Sequence, residues 1–496
     1  MEEKKSWKKL LLIMAAIVIF AFGAFALSAC SDDNTDSDND DDDSTFTAGL
    51  QFFEIYEDET VVAYSVNIGK AQDNDIVIPA YYKKKPVTRI AGSAFRDCSS
   101  LTSIVIPDTV TEIGESAFRG CSSLESIVLP NSLTAIEREV FRGCTGLTSV
   151  VIPDSVTVIK YDAFADCSGL TSITIGSGVE RVQSDAFSGC TKLIQTENSV
   201  QYVDKWVIGC DNSVDAVELR TDTVGLASWA LSSCSFTSIK LSDSLKFIGE
   251  RAFAHCGRVK SLEIPKSVKS IDWGAFIDFP SVESITVQSG NTFYHSSGNC
   301  LIETDSKTLI AVAEKNFVLP TDGSIAIIAD DVFYFFDKME SIVIPDGVTS
   351  IGRQAFHNCL NLKTVEIPDT VTYIGAYAFE NCKSLTSITI PSGVHHIDTR
   401  TFYHCSGLTS IVISNGLTRI GNEVFEGCEN LVSITIPKSV TTIWYKALGE
   451  CGSLTDIVFG GTKEEWLAID KEDGWDRNSG EYTITCTDGT IAKGEN

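Results

Sequence analysis

The chain has 496 residues, 67 acidic against 39 basic side chains, and a formal net charge of −28. That balance speaks against nucleic acid or an anionic membrane surface as the main partner, because neutralising phosphates needs a basic patch and, beyond the first 30 residues, "YYKKKP" at 81–86 is the only short basic run. A length that would ordinarily suggest about three domains is overridden by internal repeats.

Residues 1–29 read as an export signal. Lys4, Lys5, Lys8 and Lys9 form a basic start, and 10–26 is an apolar run without charge. The "LSAC" that follows, residues 27–30, resembles the bacterial lipobox, in which the chain is cut before a cysteine that then receives lipid. That resemblance makes Cys30 the lipidated mature N-terminus and the cell membrane, extracellular face, the expected location. Next comes "SDDNTDSDNDDDDS", 31–44, with eight aspartates and no apolar residue. It has nothing to bury and repels itself, so an extended tether is expected. Its spacing lacks the glycine and distal glutamate of an EF-hand calcium loop. Setting aside these eight aspartates and the four lysines and two glutamates of the signal leaves 57 acidic against 35 basic residues, so the remainder is acidic too.

Self-similarity governs the rest. "CSSLTSIVIPDTVTEIGESAFRG" at 98–120 is followed by "CSSLESIVLPNSLTAIEREVFRG" and "CTGLTSVVIPDSVTVIKYDAFAD". Cysteines recur every 23 residues at Cys98, Cys121, Cys144, Cys167 and Cys190, and again at Cys359, Cys382, Cys405, Cys428 and Cys451. Between these blocks the register survives at Cys234 and Cys256, then with Phe279 and Phe336 in the cysteine slot. A period in the twenties with a short L-x-x-I-x-I run marks a leucine-rich-repeat solenoid. The expected fold is a curved parallel β-sheet of short strands with turns on the convex side, about 15 coils long, opened by a β-hairpin cap. Within one unit, alternation turns Leu101, Ile104 and Ile106 inward and Ser103 and Val105 outward. Pro107 ends the strand, Val110 and Ile113 make a second inward pair, and Ala117 and Phe118 close the core. The cysteines then stack inside as small apolar groups, a slot that also accepts Phe279 and Phe336. Bridges between adjacent coils are the competing reading, but five cysteines per block leave one unpaired.

The pattern C-x-x-L-x-x-I-x-I-P-x-x-V-x-x-I-G-x-x-A-F, as in "CLNLKTVEIPDTVTYIGAYAF" and "CKSLTSITIPSGVHHIDTRTF", resembles that of BspA-like leucine-rich-repeat proteins, a bacterial cell-surface class. By that resemblance 46–90 is an N-terminal hairpin cap and first coil, and 461–496 a C-terminal cap. Residues 91–195 and 331–460 are the two repeat blocks. Residues 196–330 hold irregular repeats with two hairpin insertions, around "QYVDKWVIGC" and "CLIETDSKTLIAVA", which read as structural joints or, alternatively, as binding elements. Cys210 and Cys300 lie there, outside the ladder, and a bridge between them is left open.

No G-x-S-x-G, G-x-x-x-x-G-K-[ST], H-E-x-x-H or C-x-x-C occurs, so no enzyme, cofactor or metal is expected. His395, His396, His404 and Asp398 fall on polar slots of the repeat rather than forming a zinc pattern. The outward strand positions are a monotonous Ser and Val/Thr surface, as a solvated sheet prefers. Diversity sits instead between Ile-Gly and Ala-Phe, at Tyr161, Trp229, Arg251, Trp273, Arg353, Tyr377 and Tyr445. Mixed aromatics and arginines suit protein recognition. The resemblance implies a noncatalytic adhesin for host or matrix proteins or other cells. A carbohydrate- or envelope-binding lipoprotein is the alternative, which clustered exposed aromatics would favour.

Overall fold

The computed structural model describes residues 46–57, 60–69 and 72–495. The export signal, Cys30 and the acidic tether lie outside the described residues.

The described chain opens with an antiparallel hairpin, Gln51–Glu57 against Thr60–Asn67. The second strand then pairs in parallel with Lys85–Ile90, and that strand with Glu112–Ile113, so the hairpin is the first rung of a ladder. From there a β-solenoid of about 18 turns follows. The irregular segments contribute turns of their own: Trp206–Cys210 and Thr308–Val312 pair in parallel with Gly225–Leu226 and Ile327–Ile328.

Each regular turn carries two short strands rather than one. The first holds the L-x-x-I-x-I run, as in Ser149–Val151, paired in register with Ser172–Thr174. The second is the two-residue piece before the slot that Gly114 fills, as in Val158–Ile159, paired with Ala135–Ile136 and Arg181–Val182, where Lys160, Glu137 and Gln183 take that slot. A stretch that short survives only because its inward isoleucine is locked in the core and identical neighbours continue the ladder on either side. On the first strand the alternation is as read: Ile104 is buried while Ser103 and Val105 face solvent.

Between the second strand and the cysteine the chain turns through Ala-Phe. The phenylalanines stack face to face along the array. Phe95, Phe118, Phe141, Phe164 and Phe187 have ring centroids 5.4, 5.6, 5.2 and 5.5 Å apart. Phe333, Phe356, Phe379, Phe402 and Phe425 form a second stack at 4.8, 4.9, 5.3 and 5.5 Å. Burying such rings contributes about 1.5–3 kcal/mol each, and ring-to-ring contacts add about 0.5–1.5 kcal/mol.

Two residues of each such turn are left-handed: the one before Ala-Phe and the one before the cysteine. Ser116, Glu139, Trp229, Arg251, Gln354 and Tyr377 have φ between 52 and 64° at the first place. Asp97, Asp166, His255, Asn381 and His404 have φ between 53 and 61° at the second, where other turns carry Gly120, Gly143 or Gly189. Asn, Asp and His tolerate this region better than most residues, which gives a physical reason for His255 and His404.

The thiols confirm the buried free ladder: Cys121, Cys144, Cys167 and Cys190 in the first block and Cys359 to Cys451 in the second are free and buried. They are more than apolar filler. Each Sγ donates to the carbonyl of the phenylalanine one turn back, as Cys144 to Phe118 at 3.1 Å and Cys405 to Phe379 at 3.0 Å. Burial pushes the thiols of Cys144, Cys256 and Cys451 up to about 12. Cys98 departs from the pattern. It is half-buried, and its Sγ has only the Arg96 carbonyl nearby at 3.9 Å, with no ladder cysteine before it to stack on.

One pairing corrects the sequence reading. Cys210 is bridged to Cys234, not to Cys300, and Cys234, though in register, is not a free ladder thiol. The reason is topological. The strand carrying Cys210 is a rung of the same sheet as Gly225–Leu226, which sets it beside the turn of Cys234, with Cα atoms 6.9 Å apart. Cys300 belongs to the other insertion and stays free and buried, its Sγ 3.5 Å from the Val318 carbonyl.

Both irregular segments are three-stranded antiparallel meanders: Gln195–Glu197, Val200–Val203, Trp206–Cys210, and Tyr294–Ser297, Cys300–Glu303, Thr308–Val312. The buried core is in two pieces, one running from Tyr64 to Ala313 and the other from Cys300 to Ile491. At the C-terminal end a short helix, Lys463–Leu467, starts at a capping box between Thr462 and Glu465. It buries Trp466 beside Trp475 and Tyr482, and the hairpin Thr483–Cys486 with Gly489–Ala492 ends the main sheet.

Candidate binding surface

The seven residues singled out in the sequence all lie on the two positions between the second strand and Ala-Phe, so each points from a turn rather than from a sheet. The structure brings four of them together. Trp229, Arg251 and Trp273 occupy successive turns, with the Arg251 guanidinium 5.0 Å from the Trp229 ring and 4.3 Å from the Trp273 ring. Among the described residues Arg251 has no carboxylate partner, and its Nε is buried without a hydrogen bond, so ring faces hold this cation in place. Both indoles remain exposed, at 37% and 42%. Tyr161 reaches the same region from 89 residues away, donating its hydroxyl to Glu250 at 3.4 Å. Burial first, and then Glu250, raise its phenol above the usual range. Nearby, Arg181 donates through Nε to both carboxylate oxygens of Asp272 at 3.0 Å. These two contacts tie the first repeat block to the turns beyond the first insertion.

The other three are not part of that cluster. Arg353 lies over Tyr377 at 5.3 Å, two turns of the second block. Tyr445 is near the C-terminal end, its backbone N–H donating to Glu472 and its ring 5.7 Å from the Lys446 ammonium. Sequence reasoning passed over two further pairs, Arg400 with Tyr403 at 4.7 Å and Arg419 with Trp444 at 4.6 Å; of these four only Arg400 sits in the same turn columns, since Arg419 belongs to a second strand, Trp444 fills the glycine slot and Tyr403 follows Phe402.

It also passed over a cleft at the first joint. A cavity of about 240 Å³ is lined by Val182 to Gly189, Ile194, Gln201, Ile208, Ala227 and Ser228, and an adjoining space of about 360 Å³ reaches Trp229. The columns point to Ser184 and Asp185, but Gln201 and Ile208 come from the meander, whose placement the repeat period does not encode. The His395 ring donates through Nδ1 to the Gly416 carbonyl at 3.2 Å. Among the described residues no group of three or more His, Cys, Asp or Glu is arranged to hold a metal ion. None of the described helices is long and apolar enough to cross a membrane.

The profile of the BspA-type leucine-rich repeat region matches this chain in six copies, over residues 74–194, 192–300 and 326–455. The chain belongs to the BspA-type leucine-rich-repeat family. Similar solved structures include a leucine-rich cell surface protein from Faecalibacterium prausnitzii, 27% identical, with 90% of this chain and 100% of that one covered and a TM-score of 0.43. Another is a leucine-rich-repeat protein from Bacteroides ovatus, 23% identical, covering 88% and 98%, with a TM-score of 0.36. A third, from Eubacterium ventriosum, is 21% identical over 84% and 90%, with a TM-score of 0.46. No curated protein matches.

Proposed function

We propose that this BspA-type protein is a noncatalytic binding protein of the bacterial cell surface, held by a lipid on Cys30 and engaging an extracellular protein through its turn face. The observation that carries the reading is the exposed Trp229–Arg251–Trp273 stack with Tyr161 beside it. Trp, Tyr and Arg are enriched among the side chains that dominate protein interfaces, and the buried Arg251 Nε makes no hydrogen bond of its own. Its guanidinium is fixed by ring stacking, so a partner's carboxylate or carbonyl meets a preorganised donor. Adhesion to host or matrix proteins, or to other cells, follows as the biological role. Membership of the family and the surface protein of Faecalibacterium prausnitzii support that location. Arg353, Tyr377 and Tyr445 are secondary contact points on the same columns.

The test is binding of the detergent-solubilised full chain to an array of matrix proteins, mucins and glycans at two salt concentrations. A saturable protein signal lost in the Trp229→Ala/Trp273→Ala variant is the expected result. One specific observation favours a second reading: the exposed indoles cluster on one face, as a carbohydrate- or envelope-binding surface requires. Glycan signals without protein signals select it. Labelling with radioactive palmitate that persists in Cys30→Ser refutes the anchor.

A further inference from the structure

Along the array most steps join the Ala-Phe segments of neighbouring turns by three backbone hydrogen bonds, and the step from Asp162 by two. The N–H groups of Ser93, Phe95 and Asp97 donate to the carbonyls of Glu115, Ala117 and Arg119 at 2.8, 2.7 and 2.6 Å. Gln354, Phe356 and Asn358 do the same to Ala376, Ala378 and Glu380, at 3.1, 2.7 and 2.9 Å. At the first joint this ladder is open. Among the described residues the N–H groups of Asp185, Phe187 and Gly189 have no acceptor, and the facing carbonyls of Ser228, Ala230 and Ser232 receive no donor. One strand of contact remains, Ser228 N–H to Val182 O at 2.8 Å. The second joint is also open at Gly274, Phe276 and Asp278, but there Phe317 packs 5.7 Å from Phe333 and 5.8 Å from Phe336. At the first joint Phe187 stacks only on Phe164, and the cleft of about 240 Å³ lies against it.

We infer that this cleft is a docking groove for an extended peptide segment of a partner protein, which joins the ladder as an added rung. The inference rests on the surface-binding reading above and names the partner's chemistry. Donors spaced at every second residue on one wall, with unmet acceptors facing them, match a polypeptide backbone; sugar hydroxyls have no such repeat. The floor of Phe187, Ile194 and Ile208 takes small apolar side chains, and the rim offers Trp229. Asp185 is the only charged side chain in the lining, which selects a lysine or arginine on the incoming segment.

The chain itself supplies a probe. The blocked heptapeptide Gly-Glu-Ser-Ala-Phe-Arg-Gly, the sequence of 114–120, carries the carbonyls that complete the ladder elsewhere together with one arginine. The full chain in detergent is titrated with it, and backbone hydrogen exchange is mapped by mass spectrometry. Saturable binding below about 1 mM, with slowed exchange confined to the 185–189 segment, is expected. Ile208→Trp fills the cleft and abolishes binding. Asp185→Asn, at an exposed left-handed position that asparagine tolerates, weakens it about two- to five-fold. No binding at about 1 mM, protection elsewhere, indifference to both variants, or release of the peptide by a glycan each overturns the proposal. Protein signals on the matrix array that persist in Ile208→Trp while the peptide fails to bind refute the groove alone. A silent array with a bound peptide refutes the adhesin reading alone.

Discussion

Asp331 is a buried carboxyl with no full set of partners, and replacing it by asparagine should stabilise its turn. Its exposure is 4%, its Oδ2 has no hydrogen-bond partner, and its backbone is left-handed at φ 61°, which asparagine accepts. Burial first, and then neighbouring Asp330, push its pKa from 3.8 up to about 6, against opposing pulls from Arg251, Arg353 and His357. A carboxyl whose folded pKa is raised stabilises the fold fully below its unfolded pKa and loses that contribution as pH rises through the folded one. At pH 7 the ionised form therefore costs about 3 kcal/mol, two-odd pKa units at 1.36 kcal/mol each, an upper bound because the amide must also be desolvated. The assay is hydrogen exchange of the 331–335 turn in Asp331→Asn against the parent chain. Protection should rise by up to about 100-fold at pH 7, by about half that free energy at pH 5, only about twofold at pH 3.8, and not at all near about pH 2.5. Equal protection at pH 7, or a difference that persists undiminished below pH 3.8, would refute the reasoning.

Phe379→Ala removes a ring stacked on both sides, 4.9 Å from Phe356 and 5.3 Å from Phe402, and should cost about 3–5 kcal/mol, read as a fall in urea midpoint of the second core. Gln354→Val forces a β-branched residue to φ 55° and should cost about 1–2 kcal/mol, whereas Gln354→Gly is neutral or better; chemical denaturation separates the two. Of the described thiols, Cys98 should alkylate first at pH 8, and Cys144, Cys256 and Cys451 only after denaturant is added, as peptide mapping will report.

The repeat carried most of the fold. Its period located the inward isoleucines, the phenylalanine stack and the cysteine ladder, because each is a contact between residues 23 apart that any neighbouring pair of turns repeats. The left-handed positions went unread, although the column before the cysteine is rich in Asp, Asn, Gly and His; the column before Ala-Phe mixes Ser, Asp and Glu with Trp, Arg, Gln and Tyr and carries no such signal. What else stayed hidden depends on contacts outside the period. Tyr161 with Glu250 spans 89 residues and Arg181 with Asp272 spans 91, and neither separation is a multiple of 23, because the first insertion lies between the partners. Cys210 found Cys234 because a meander strand became a rung of the sheet, a fact of pairing rather than of spacing. The cleft is defined by hydrogen bonds that are missing, and no residue type announces a missing bond. Arg251 was chosen for its chemistry, but only the geometry showed it clamped between two indoles.

The divided core has a mechanical meaning. Within either piece, side chains interlock from turn to turn, so a pull along the axis is resisted by every ring and thiol in series. At the second joint the turn ladder is open at Gly274, Phe276 and Asp278, and the first core gives way to the second. The two pieces nevertheless share one strand there: Cys300–Glu303 turns Leu301 into the first core and Cys300 and Ile302 into the second, so its alternating faces couple the two stacks.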